Sequence, residues 1–218
     1  MNQAEVNTRR LVILGAGGHA KVLRALAFAL GFDVIGVFDS DLVKTGQRLW
    51  LDVPVLGDDD TLAAGLDPST VGVINGIGQR VGSSARQGVY RRFHDAGFIF
   101  PSLVHPSAWV APTVLLGHGV QVMAGAVIQP DCRVDENTIV NTSASIDHDC
   151  AIGAHVHIAP GVTICGNVTI GESAFIGAGA TLIQGIRIGE SALVGAGETL
   201  VRNVEPHRVP VRFNPQSD

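Results

Sequence analysis

The sequence predicts a chain in two parts, a small α/β unit followed by an all-β parallel β-helix. Over residues 10 to about 104, short apolar runs ending at Gly, Asp or Asn alternate with helix-spaced segments. From residue 108 a rhythm of six takes over and runs to residue 203 without an insertion. The third residue of all sixteen hexads is Val, Ile or Leu, and a period of six marks stacked coils of short parallel strands.

In the first part, Leu11-Val12-Ile13-Leu14 is apolar throughout and stops at Gly15, as a buried parallel strand does. Val22, Leu23, Leu26 and Leu30 then recur at three- and four-residue steps, predicting a helix over Lys21 to Leu30. Val34 to Phe38 reads as a second strand ending at Asp39, and Val71 to Ile74 as a third running into Asn75-Gly76-Ile77-Gly78. Residues 80 to 96 read as helix and Phe98 to Val104 as a further strand. Strand–helix alternation predicts a small parallel sheet. The expected domains are 1–105 and 106–218.

In the second part the hexads run AWVAPT, VLLGHG, VQVMAG and onward to ETLVRN. The aliphatic third residue points inward and stacks on its equivalents in neighbouring coils. The following residues turn the corner, so Gly, Asn, Ala and Asp recur there. Each coil buries its apolar face only against the next, so stability accumulates along the stack.

Composition agrees. The 218 residues are 46% hydrophobic and 16% charged, with 27 Gly and 5% aromatics. That suits a large core, many tight turns and small packing residues. A net charge of -5 argues against a nucleic-acid surface. No apolar run approaches the ~18 residues that span a bilayer, and MNQAEVNTRR is polar, so neither a membrane segment nor a signal peptide is expected. The expectation is a cytoplasmic protein. Cys132, Cys150 and Cys165 lack a CxxC spacing and are expected as buried thiols.

Two features carry chemistry. In ASIDHD, Ile146 takes the inward place, so Asp147, His148 and Asp149 are corner residues. A histidine beside a carboxylate gains basicity and a fixed tautomer, and can take a proton from an attacking amine or hydroxyl. His118 has a similar corner place without a carboxylate neighbour. His148, Asp149, His155 and His157 could in principle ligate a metal. Spacings of seven and nine in a repeat of six put the histidines on different edges, so no metal is expected. The second feature is Gly-Ala-Gly-Gly-His-Ala, which follows a strand and opens a helix. Its glycines let the backbone approach phosphate, and the helix start favours the charge. Gly15, Gly17 and Asp39 alone suggest a dinucleotide site, but the second half of a dinucleotide fold is missing.

LVILGAGGHAKVL, HPSAWVAP and NTSASIDHDCAIGAHVHIAPG together resemble the hexapeptide-repeat acetyltransferases of nucleotide-linked amino sugars, the PglD/NeuD-like family. The resemblance implies a Rossmann-like domain joined to a left-handed β-helix with three hexads per coil. It also implies a homotrimer with active sites between subunits. His148 would be the general base with Asp149, or alternatively Asp147, orienting it. His157 would contact acetyl-CoA, and Gly166, Ala178 and Ala196 would line the path of its pantetheine arm and nucleotide. Gly18, His19, Ala20, Asp39, Ser40 and Gly78 would hold the nucleotide sugar. His155 has no matching role and is expected at the surface. The tail HRVPVRFNPQSD departs from the family's Gly-x-Pro-Ala-Lys-like ending. The implied reaction is N-acetylation of an amino sugar in polysaccharide biosynthesis, the acceptor a 4-amino-4,6-dideoxy hexose. Sialic acid O-acetylation and a non-catalytic nucleotide-sugar-binding scaffold are the rivals.

Overall fold

The apolar run at residues 11–14 becomes an interior strand of a sheet, and all four of its side chains are fully buried. It belongs to β1 (Arg10–Leu14), followed by α1 (Gly18–Ala29), β2 (Asp33–Phe38), α2 (Ser40–Lys44), β3 (Leu49–Trp50), β4 (Val53–Gly57), α3 (Asp59–Gly65), β5 (Gly72–Asn75) and α4 (Ala85–Asp95). This computed structural model describes residues 9–209. The polar residues 1–8 and the tail from 210 lie outside them. The chain divides into two compact units, Met1–Leu103 and Val104–Asp218.

In the first unit the strand order is β3-β4-β2-β1-β5. β1 pairs in parallel with β2 and β5, and β2 with β4. β3 is antiparallel to β4, so the sheet is mixed where an all-parallel one is expected. The hairpin turn is Leu51-Asp52, with φ of 48° and 64°. Two-residue hairpins favour positive φ at both positions, but with no glycine here the turn leaves no sequence signal. α1 starts three residues before the expected Lys21. α4 starts at Ala85, five after the expected 80, because Gly82 (φ 72°) and the following serines hold a loop. The strand expected over Phe98 to Val104 reduces to a bridge at Ile99 and the pair Leu103–Val104.

The second unit is a left-handed β-helix. Two-residue strands start every six residues, from β6 (Leu103–Val104), β7 (Trp109–Val110) and β8 (Leu115–Leu116) to β22 (Thr199–Leu200). They form three parallel sheets of six, five and six strands. Partners lie eighteen residues apart, as in Ile128↔Ile146↔Ile164, so three hexads make one coil. The repeat begins one hexad earlier than the sixteen read from sequence. The second residue of each strand points inward, and all but Val104, Val110 and Leu116 of these at the first coil are buried. Burying such a side chain contributes about 1.5–3 kcal/mol.

The last residue of the hexad turns the corner. From 119 to 197 every sixth residue has a positive φ between 54° and 68°, or 74° at Gly185. These residues are Gly, Asp, Asn, Ser or His, the types that enter the left-handed region most readily. Asp149 (φ 60°) and His155 (φ 59°) both hold this place. After β22, Val204 bridges Ile188, and Leu193 donates its N–H to the Arg208 carbonyl, so the described part of the tail extends the stack.

Cys132 and Cys150 are buried as expected, whereas Cys165 is only half-buried because it occupies a corner. His155 is a correction. It is buried at 5% exposure, with its Nδ1 3.0 Å from Asn137 Nδ2 one coil below. A corner side chain is exposed only where nothing packs over it, and sequence register alone does not report that.

Candidate active site

His148 follows β13 (Ser145–Ile146), at the corner leading from the first β-helix sheet to the second. Asp147, His148 and Asp149 are all exposed. The two carboxylates divide their work. Asp147 Oδ1 accepts the backbone N–H of His148 at 2.8 Å, while Asp149 Oδ2 lies 2.7 Å from the ring Nδ1. Asp149 holds the left-handed corner position at φ 60°, and Asp147 precedes His148 directly after the strand. The hydrogen bond to Asp149, followed by the charge of Asp147, raises the His148 pKa above its ordinary value. With Nδ1 given to the carboxylate, Nε2 keeps the lone pair.

One coil further, eighteen residues on, stands Gly166. A Cβ there would lie 2.8 Å from His148 Cε1 and 2.9 Å from Nε2. The imidazole therefore rests over this glycine. The sequence holds the signal, since 148 plus 18 is 166, but the direction of the ring comes only from the coordinates.

The other acetyl-CoA candidates occupy a different part of the same unit. His157 lies in β15 (His157–Ile158) of the third sheet, 9% exposed and stacked on Phe175 at a centroid distance of 4.7 Å. Ala178 and Ala196 are exposed at the corner that follows this sheet. One chain thus groups His148, Asp149 and Gly166 at one edge and His157, Ala178 and Ala196 along another. Among the described residues, no group of three or more His, Cys, Asp or Glu side chains is placed to hold a metal ion. No described helix is long and apolar enough to cross a membrane.

In the first unit, the loops after β1, β2 and β5 meet at the C-terminal edge of the sheet, where open α/β sheets bind ligands. Gly18 and Ser40 are exposed, and His19, Asp39 and Gly78 are half-buried. A Cβ on Gly78 would lie 3.3 Å from His19 Cβ, so the two loops touch. Gly17 caps α1 with no side-chain cap hydrogen bond, and a helix start favours an anion. Ala20 and Asp39 are also held by the protein itself. Ala20 is fully buried, its methyl group packed against Gly76, so a ligand contact there would come from its backbone. Asp39 Oδ2 accepts the Ala16 N–H at 2.8 Å, and Oδ1 accepts those of Asp41 and Leu42 at 3.0 Å. That carboxylate joins two loops, and a ribose contact would have to share its oxygens.

Comparison with known proteins places the chain in a family. The PglD N-terminal domain family matches residues 10–93, and the hexapeptide repeat of succinyl-transferase matches residues 167–201. No curated protein matches the chain. Among solved structures, PerB from Caulobacter crescentus in complex with CoA and GDP-perosamine is 40% identical, with a TM-score of 0.81 and 90% of each chain covered. The acetyltransferase domain of PglB from Neisseria gonorrhoeae FA1090, in complex with acetyl coenzyme A, is 34% identical, with a TM-score of 0.83, covering 92% of this chain and 95% of that one. WeeI from Acinetobacter baumannii AYE, 22% identical with a TM-score of 0.79, shares the fold over 90% of this chain and 93% of its own. With one relative 40% identical along nine-tenths of both chains, the chain belongs to the hexapeptide-repeat sugar N-acetyltransferases that carry a PglD-type N-terminal domain.

Proposed function

We propose that the chain moves acetyl from acetyl-CoA to the amine of a nucleotide-linked 4-amino-4,6-dideoxy hexose, with His148 as general base. The observation that carries the reading is the 2.7 Å bond from His148 Nδ1 to Asp149, which leaves Nε2 basic at an exposed corner. The relatives bound to GDP-perosamine and to acetyl coenzyme A support the substrate classes. His148 Nε2 takes the proton as the amine nitrogen bonds to the thioester carbon; the carbon–sulfur bond then breaks and the imidazolium returns the proton to the departing sulfur, releasing CoA thiol. No acyl-enzyme is required. Asp149 stabilises the imidazolium that forms. Gly18, His19, Ser40 and Gly78, with the backbone at Ala20 and the Asp39 junction, hold the nucleotide sugar. His157, Gly166, Ala178 and Ala196 line the acetyl-CoA path.

Because His148 and His157 lie on different edges of one chain, the complete site forms between neighbouring subunits of a homotrimer. The compartment is the cytoplasm, where acetyl-CoA and nucleotide sugars meet. Thiol release from acetyl-CoA with GDP-, UDP- and dTDP-linked amino sugars tests the reaction. The expected result is turnover with one acceptor and its collapse, by about a hundredfold or more, in His148→Ala. Near-normal turnover in that variant would remove His148 from the role of base.

A further inference from the structure

The loop after β5 is built around a buried cation. Arg86, the second residue of α4, is 2% exposed, and its Nη1 donates to the carbonyls of both Asn75 and Ile77 at 2.8 Å. Asn75, 1% exposed, returns the contact by donating Nδ2 to the Arg86 carbonyl at 2.9 Å. Asn75 Oδ1 also accepts the Ile77 N–H at 3.2 Å. The Asn-Gly-Ile-Gly segment is therefore folded over a reciprocal Arg–Asn clamp.

The clamped segment presses on the glycine loop before α1. A Cβ on Gly76 would lie 2.7 Å from the Leu14 carbonyl oxygen and 2.9 Å from Ala20 Cβ, and one on Gly15 would lie 3.1 Å from Ile77 Cγ1. Burying a guanidinium is unfavourable, and here burial lowers its pKa to about 9. Closing a surface loop does not need such a group, since neutral side chains cap carbonyls at less desolvation penalty. What the guanidinium adds is a rigid loop shape, set at the carbonyls of Asn75 and Ile77, against the start of α1.

We infer that Arg86, with Asn75, is a positioning residue for the nucleotide sugar, fixing the Gly76–Gly78 backbone against Gly18 and His19. The inference rests on the reading of these loops as the nucleotide-sugar site. It is tested on the full chain with Arg86→Met, Arg86→Lys, Asn75→Ala and the Arg86→Met/Asn75→Ala pair. The probes are GDP-perosamine, a UDP-linked 4-amino-4,6-dideoxy hexose and acetyl-CoA. Arg86→Met and Asn75→Ala are each expected to raise KM for the amino sugar about tenfold, the scale of one charge-assisted hydrogen bond. KM for acetyl-CoA should move less than twofold. Arg86→Lys, which can still place an ammonium between the two carbonyls, should lose less, and the double variant should lose less than the product of the singles. Acetyl-CoA binding and thermal unfolding identify any variant that fails to fold, and Arg86→Lys then carries the test. An unchanged amino-sugar KM in the folded variants, or equal losses for both substrates, overturns the role of Arg86. A wild-type chain that uses neither amino sugar overturns the reading of the site itself, which separates the two failures.

Discussion

At the residue scale, the pairing of His148 with Asp149 makes a signed prediction. In the proposed mechanism the neutral ring is the base, so activity should be lost as pH falls through the His148 pKa. Asp149 holds that pKa above the ordinary value, so the acid limb of kcat/KM should lie above pH ~6.5. Asp149→Asn suits this test because Asn also tolerates the left-handed corner at φ 60°. It should move the limb to lower pH and reduce kcat about ten- to a hundredfold. A limb that stays in place would detach Asp149 from the ring's chemistry. Gly166 makes a second prediction. Its φ lies outside the left-handed region, so Gly166→Ala fits the backbone, and the atoms nearest the added Cβ all belong to the His148 ring. The ring can swing away, so the melting temperature should hold while kcat drops at least about tenfold. In a His148→Ala background, the same change should do almost nothing further. A full second loss there would mean that Gly166 acts on acetyl-CoA and not on the ring.

At the element scale, the corner sets a rule that a surface position can check. Asn167 is exposed, sits last in its hexad and has φ 58°. Asn167→Gly should leave stability unchanged within a few tenths of a kcal/mol, whereas Asn167→Val should lower it by about 1–2 kcal/mol, measured by denaturant unfolding. Equal effects would mean that the corner carries no left-handed strain. This rule also explains what was legible in the sequence. The coils were readable because two hexad places obey strict physics, one apolar and one needing positive φ. The β3–β4 hairpin was not, since Leu51 and Asp52 reach positive φ without the residues that usually signal it. Nor was the burial of His155, because polar corner residues look alike whether or not something covers them. The choice between Asp147 and Asp149 was closed to sequence for a similar reason. Both are adjacent carboxylates, and only the coordinates show that Asp149 meets the ring while Asp147 accepts the backbone N–H.

At the scale of the whole molecule, the proposed reading, with the base His148 on one edge and His157 on another, requires a neighbouring subunit to complete each site. In a cyclic trimer, every site would take His148 from one subunit and His157 from the next. His148→Ala and His157→Ala, each defective alone at subsaturating acetyl-CoA, should then complement when unfolded together and reassembled as mixed trimers. At equal mixing, a site is intact when one subunit keeps His148 and its neighbour keeps His157, each with probability one half, so about a quarter of wild-type activity should return. If both histidines served a site within one chain, no mixed trimer would contain an intact site, and activity would stay at the level of the separate variants. The experiment therefore reads subunit composition from rate alone. The two edges of the β-helix make the outcomes far enough apart to distinguish.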